Sequence, residues 1–270
     1  MKVLNLKKCI QATFAVGISF ATLTTCAYAG DRVIEDSLVY NDPTLSKQDD
    51  WIKGGSIDYH NVYNVPSSVT DTAGAKYTAT NSYGMTGLSG FVGKGNLTFL
   101  VSFRQGSGNM SVPYGGTTYS WTKDMSEVEV DARYLLTQFS STYFVPYTLA
   151  GYTSGTETWS YAYDYSPGVK QKNTYSITGP LVGLGGIVPI SDKMGLRVDV
   201  KQAWLSNSVS SNIAAFDGKT LTATTTRLTL TGYYNIDTNL NVQLGLRNDS
   251  NSYTGDTTAG MYAMLGYTFK

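Results

Sequence analysis

Cysteine and histidine are nearly missing from this chain, and charge is scarce. Of 270 residues, two are Cys and one is His, and 15% are charged. Both cysteines, Cys9 and Cys26, fall in the first thirty residues. Nothing beyond Cys26 can form a disulfide or a thiolate metal site. There is no cationic excess: 20 Lys and Arg stand against 20 Asp and Glu. That excludes the clustered positive charge of a nucleic-acid binder. Disorder is excluded too, because 41% hydrophobic content without net charge opposes its signature. No stretch after Gly30 approaches 18 apolar residues, so no membrane helix is predicted. What is abundant is Gly, with 28, and Tyr, with 21. Together they suggest many short strands, tight turns and a membrane interface.

The first thirty residues form an address. Lys2, Lys7 and Lys8 precede a mostly apolar stretch from Ile10 to Leu23, and Ala27-Tyr28-Ala29 follows. Basic, apolar and small-residue parts in that order predict a signal peptide over 1–29, cut before Gly30. Leu23-Thr24-Thr25-Cys26 resembles a lipoprotein signal loosely, with Thr25 where a smaller residue is usual. Cleavage before Gly30 would remove three lysines and no acid. The remaining 241 residues then hold 17 basic and 20 acidic side chains, a net charge of −3.

Beyond that point period-two alternation recurs, the mark of strands with two unlike faces. Val128, Val130, Ala132, Tyr134 and Leu136 share one face; Glu127, Glu129, Asp131 and Arg133 share the other. Met194, Leu196, Val198 and Val200 oppose Arg197, Asp199 and Lys201. Leu240 to Arg247 and Thr258 to Phe269 alternate likewise. About ten strands are predicted: 51–62, 77–92, 97–104, 118–138, 143–160, 174–190, 194–205, 220–234, 239–247 and 257–269. Eight and twelve are the neighbouring even counts. The stretch 174–190 is apolar on both faces, so its orientation is open.

Short turns at 93–96, 140–142, 191–193 and 235–238 alternate with long polar stretches at 63–76, 105–117, 161–173, 206–219 and 248–256. Short turns at one end and long loops at the other are the asymmetry of a transmembrane β-barrel. A secreted β-sandwich is the competing fold, since it also shows regularly spaced strands. Mid-strand charges on one face and Tyr, Trp and Leu on the other favour apolar-out, polar-in. The expected fold is therefore all-β, an antiparallel transmembrane β-barrel over 51–270. A non-strand segment, 30–50, would precede it in the periplasm.

Met261, Ala263, Leu265, Tyr267 and Phe269 resemble the C-terminal recognition strand of Gram-negative outer-membrane proteins, which the barrel-assembly machinery reads. Lys270, one residue past the terminal aromatic, departs from the pattern. The resemblance implies residence in the outer membrane of a Gram-negative bacterium. The implied partners are outer-membrane lipids, lipopolysaccharide and the barrel-assembly machinery.

Facing the polar residues inward places Asp58, Glu127, Glu129, Asp131 and Asp199 in the lumen. It places Arg104, Arg133, Arg197, Lys201, Arg227 and Arg247 there as well. A ten-stranded lumen is narrow, and buried charges must be paired. A self-neutralising plug is favoured over a selective pore, which more often shows one sign in excess. The lead reading is a porin-like or structural barrel without enzymatic activity. The alternative is a surface adhesin or host-interaction protein acting through long loops.

Asp58-Tyr59-His60 resembles the Asp-x-His pair of the omptins, outer-membrane proteases. The Asp-x-Asp that would complete that site does not occur, and no Gly-x-Ser-x-Gly elbow is present. His60 is expected to be a polar rim residue. The stretch from Asp249 to Asp256 lacks the Gly and Glu of a calcium loop, and Gly183 to Gly186 lacks the helix of a phosphate loop. No metal or cofactor is expected. Trp159, Tyr161, Tyr163 and Tyr165 would belong to an aromatic girdle or to an exposed adhesive surface.

Overall fold

In the computed structural model the described residues are 48–64, 67–70, 76–114, 117–141, 143–161, 171–212, 214, 217–252 and 257–269. The predicted signal segment and most of 30–50 lie outside them, as do Tyr163 and Tyr165. The strands are β1 (Gln48–Asn64), β2 (Ser67–Thr70), β3 (Lys76–Gly95), β4 (Leu97–Tyr114), β5 (Thr117–Leu135) and β6 (Val145–Tyr161). They continue with β7 (Gln171–Pro189), β8 (Met194–Ser211), β9 (Thr220–Asn235), β10 (Leu240–Asn251) and β11 (Thr257–Phe269). All pairings are antiparallel between chain neighbours, except that β1 pairs with both β11 and β3. That double pairing closes ten strands into a barrel. β2 is a short four-residue ladder on β3 and stands outside the ring.

Alternation becomes two faces. Val128, Val130 and Tyr134 point outward while Glu129, Asp131 and Arg133 are buried. The same split holds for Met194 and Leu196 against Arg197, Asp199 and Lys201, and for Val242, Leu244 and Leu246 against Asn241 and Gln243. On β11, Met261, Ala263, Leu265, Tyr267 and Phe269 face outward. The open orientation of 174–190 is settled: Leu181 and Ile187 point in, and Val182 and Leu184 point out. Trp51, Tyr134, Tyr234, Tyr267 and Phe269 ring the short-turn end of the apolar belt, and Tyr59, Tyr63, Tyr152 and Trp204 lie farther up. An exposed apolar band on a closed sheet, edged by aromatic residues, belongs in lipid.

Where they are described, the long polar stretches are largely strand, against expectation. β4 runs to Tyr114 and pairs with β5 down to Tyr114↔Thr117, so 105–114 is ladder and not loop. β8 reaches Ser211 and β10 reaches Asn251. The segments predicted as 97–104 and 239–247 are strands of 18 and 12 residues. Alternation fades there because water meets the outer face once the belt ends, not because pairing stops. Outward positions on β4 change from Phe99, Val101 and Phe103 to Gln105, Ser107 and Asn109. A strand of 19 residues such as β5 climbs about 45–50 Å at ~3.3 Å per residue and a ~40° tilt, against an apolar band of ~25 Å. The barrel wall therefore continues well beyond the membrane at the end opposite the short turns.

The short turns are built by local chemistry. Gly95, at φ +60°, closes the β3–β4 hairpin, a conformation that disfavours side chains. Asp237 accepts the backbone N–H groups of Asn239 at 2.7 Å and Leu240 at 2.8 Å. Those two bonds hold its carboxyl below the usual range. The β5–β6 connection contains a single 3-10 turn, Thr137–Phe139, so the strand predicted over 118–138 stops at Leu135.

The overshoot is testable, because no cysteine follows Cys26. Ser107→Cys should react on intact cells with a membrane-impermeant maleimide. Val101→Cys, inside the belt on the same outer face, should stay unlabelled.

Candidate functional site: the lumen

The lumen is filled in layers. Toward the short turns, Leu135, Val145, Tyr147, Leu149, Leu181, Ile187 and Tyr233 form an apolar cluster inside the barrel. Higher up, Val62, Tyr83 and Met85 pack with Met125. Several lumen tyrosines lie against glycines of neighbouring strands. A Cβ at Gly185 would collide with the Tyr147 ring, one at Gly195 with the Tyr233 hydroxyl, and one at Gly245 with the Tyr262 ring. Glycine at those positions makes room for a large ring in a narrow tube. Part of the Gly and Tyr content is spent there, in addition to turns and girdle.

Charge occupies the space between these clusters. Lys201 on β8 donates to Glu129 at 2.6 Å and Asp131 at 2.8 Å, both on β5. Arg227 on β9 reaches Glu129 at 2.8 Å, Glu127 at 3.4 Å and Asp249 at 2.9 Å. Arg247 on β10 binds Asp249 at 2.6 Å and comes within 3.8 Å of Glu127. β5 and β10 stand opposite each other in the ring order, so these contacts cross the lumen. Arg104 on β4 joins Asp58 at 3.3 Å and Glu127 at 3.4 Å. Arg133 pairs with Asp131 at 3.3 Å and Arg197 with Asp199 at 3.5 Å. Tyr147 donates to Asp199, and Arg197 also donates to the buried Gln243 at 3.2 Å.

The structure thus brings all eleven sequence-derived lumen charges into the barrel interior, most of them in one connected network. Three charged residues complete it that sequence reasoning missed. Asp249 falls where a loop was expected, yet it shares the parity of Arg247 and Gln243. Lys123 and Glu157 pair at 3.0 Å near the upper mouth. They share the parity of Glu127 on β5 and Tyr147 on β6. With them, the inward charges among the described residues number seven acids and seven bases. Trp159 was expected in a girdle or on an adhesive face. It points inward instead, its indole donating to Glu157 and its ring 4.8 Å from Lys123 Nζ.

His60 is not a rim residue. It is 4% exposed and stacks on Tyr262 with ring centroids 4.9 Å apart. Its Nε2 lies 3.1 Å from Asp58 Oδ1 and 3.1 Å from Arg104 Nε. The tall wall explains the burial, since neighbouring strands continue far above the level of His60.

No protein-family model and no curated protein sequence matches the chain. Solved structures do. The outer-membrane protease OmpT from Escherichia coli is similar, with a TM-score of 0.50 and 14% identity, covering 85% of this chain and 100% of that one. The translocator domain of the autotransporter NalP from Neisseria meningitidis aligns at a TM-score of 0.46 and 10% identity over 97% of this chain and 98% of that one. OprG from Pseudomonas aeruginosa aligns at 0.40 and 16% identity over 83% and 97%. At such identities the likeness is one of fold. The apolar belt and the closed sheet define the class: this is an antiparallel transmembrane β-barrel, the fold it shares with OmpT.

Removing one partner from a buried ion pair leaves a stranded charge, at about 3–5 kcal/mol. Lys201→Met should lower stability by that order, read as a fall in the urea midpoint of the folded barrel. Adding Glu129→Gln to that variant restores the charge balance while Arg227 keeps Glu127 and Asp249 and Asp131 keeps Arg133, and should recover part of the loss.

Proposed function

We propose that this is a non-enzymatic outer-membrane barrel whose lumen is shut to free diffusion. The observation that carries the reading is the network from Glu127 and Glu129 to Arg227 and Arg247, which bridges opposite walls. The apolar cluster beneath it supports the same reading. Ten strands leave little room beyond side chains, and a neutral network gives a passing ion no favoured sign. The environment of His60 supports the non-enzymatic part. Its Nε2 is occupied by Asp58 and Arg104, and its ring is covered by Tyr262, so a polypeptide substrate has no approach to it.

Planar-bilayer recording of the purified barrel tests this. The expected trace shows no stable conductance steps for the natural sequence. Arg227→Ala with Glu127→Ala should introduce small, noisy openings. Steady steps from the unaltered protein would overturn the reading.

A second role is favoured by the height of the wall. Strands that leave the membrane with Ser, Thr and Asn on their outer face carry a polar wall out past the lipid surface. Contact with other cells or with matrix is the activity that such a platform suits. Deleting 161–172 should then abolish binding to host cells while the barrel still migrates as a heat-modifiable band. Binding unchanged by the deletion would remove this role. The remaining proposed partners act on the outer face. Lipopolysaccharide and phospholipid would meet the belt, and the barrel-assembly machinery would read the outward row from Met261 to Phe269.

A further inference from the structure

One group in the lumen layer can change its charge near neutral pH. His60 is the only histidine of the chain, and it sits buried inside the barrel. Its Nε2 lies 3.1 Å from Asp58 Oδ1 and 3.1 Å from Arg104 Nε. These two neighbours make opposite demands. A carboxylate oxygen only accepts a hydrogen bond, and a guanidinium Nε only donates one. A single ring nitrogen cannot serve both. Without a proton, Nε2 accepts from Arg104; with one, it donates to Asp58.

The surroundings accommodate both alternatives. On β4, Arg104 has a second hold, because its Nη1 reaches Glu127 and Ser102, each at 3.4 Å. On β1, Asp58 has a second oxygen, Oδ2, buried without a hydrogen-bond partner among the described residues. Gly87 on β3 lies beneath the bridge from β1 to β4, and a Cβ there would collide with Asp58 and Arg104. A cavity of about 100 Å³ borders His60 and Arg104, and that space admits water to carry a proton. The other faces of the ring bring no competing acid. Met85 pairs with His60 from β3, and Tyr262 stacks on it from β11. Arg247 on β10 is a further cation whose field reaches the ring, and it is held by Asp249 and Glu127. Among the described residues, Asp58 is the one carboxylate in ion-pair contact with the imidazole.

We propose that His60 is a proton-operated latch between β1 and β4. With the ring neutral, Arg104 is gripped by His60, Asp58 and Glu127, and the layer balances seven acids with seven bases. With the ring protonated, its Nε2–H takes Asp58, and an imidazolium faces the guanidinium where a hydrogen bond had been. Eight cationic groups then stand against seven acids. Arg104 retreats toward Glu127, and the tie that spans β3 is lost. Acid therefore loosens the interior from the β1–β4 side, and neutral pH locks it again. The latch is independent of whether the lumen conducts.

A lone histidine makes the test direct. Full barrel purified without an affinity tag, and labelled with nitrogen-15 at histidine, gives one imidazole to follow. At about pH 8 its Nε2 should be the unprotonated nitrogen. By about pH 5, across the range in which histidine titrates, both nitrogens should carry protons. Over the same interval the unfolding rate in urea should rise at least about tenfold. His60→Gln, whose amide oxygen still accepts from Arg104 and does not titrate, should abolish that rise. Arg104→Met should reverse it, since the imidazolium then meets Asp58 with no rival cation beside it. If Arg104→Met does not fold, the nitrogen-15 spectrum and His60→Gln decide between them. A proton on Nε2 at about pH 8 overturns the proposal, and so does a rise left unchanged in either variant.

Discussion

Hydrocarbon offers a peptide group nothing to bond with. Every strand edge inside a bilayer must therefore find another strand, and β1 meets that demand by pairing with β11 on one side and β3 on the other. Closing at ten strands then dictates the interior. The tube is too narrow for a wide water column and too wide to be left empty. It is filled by tyrosines seated over glycines, by two apolar clusters, and by a layer of charge that lipid could never accept outside. Neutrality of that layer is a condition of burying it at all. Seven acids matched by seven bases follow from the closure of the sheet as directly as the apolar belt does.

The network also depends on register. Glu127, Glu129 and Asp131 project inward together because they alternate on β5, and Lys201 reaches two of them from β8. A shift of one residue in either ladder would turn these charges toward lipid. The ion pairs thus help to single out one pairing among those that a repetitive Ser, Thr and Gly sequence could adopt. Energetically such pairs do little better than apolar packing. Their larger effect is to penalise the wrong alignment.

Much of this was legible before any coordinates. The alternation of Glu127 to Leu136 and of Met194 to Lys201 defined the faces, and Asn96 and Asp237 marked turns. Two kinds of feature escaped. The first was strand continuing after alternation ended. Gln105, Ser107 and Asn109 resemble a loop in composition, because water wets the outer face there and only the hydrogen-bond ladder reveals a strand. Asp249 was lost for the same reason. The second was the apolar filling of the lumen. Leu181 and Ile187 look like lipid-facing residues, and only their partners across the tube show otherwise. His60 was misplaced through both effects, since its depth depends on how high the neighbouring strands rise.

The seam between β1 and β11 bears on how the molecule comes into being. Ile57 aligns with Leu265, about 200 residues later in the chain, and so distant a contact forms slowly. Until Thr257–Phe269 arrives, the curling sheet has two bare edges, and the arginines that will face Glu127 and Glu129 lack a finished chamber. Thr257–Phe269 is thus the segment that turns an open, adhesive sheet into a sealed vessel. A chain shortened by a single strand at that end would be an unsealed precursor with edges available to any other unfinished copy, rather than a slightly smaller barrel.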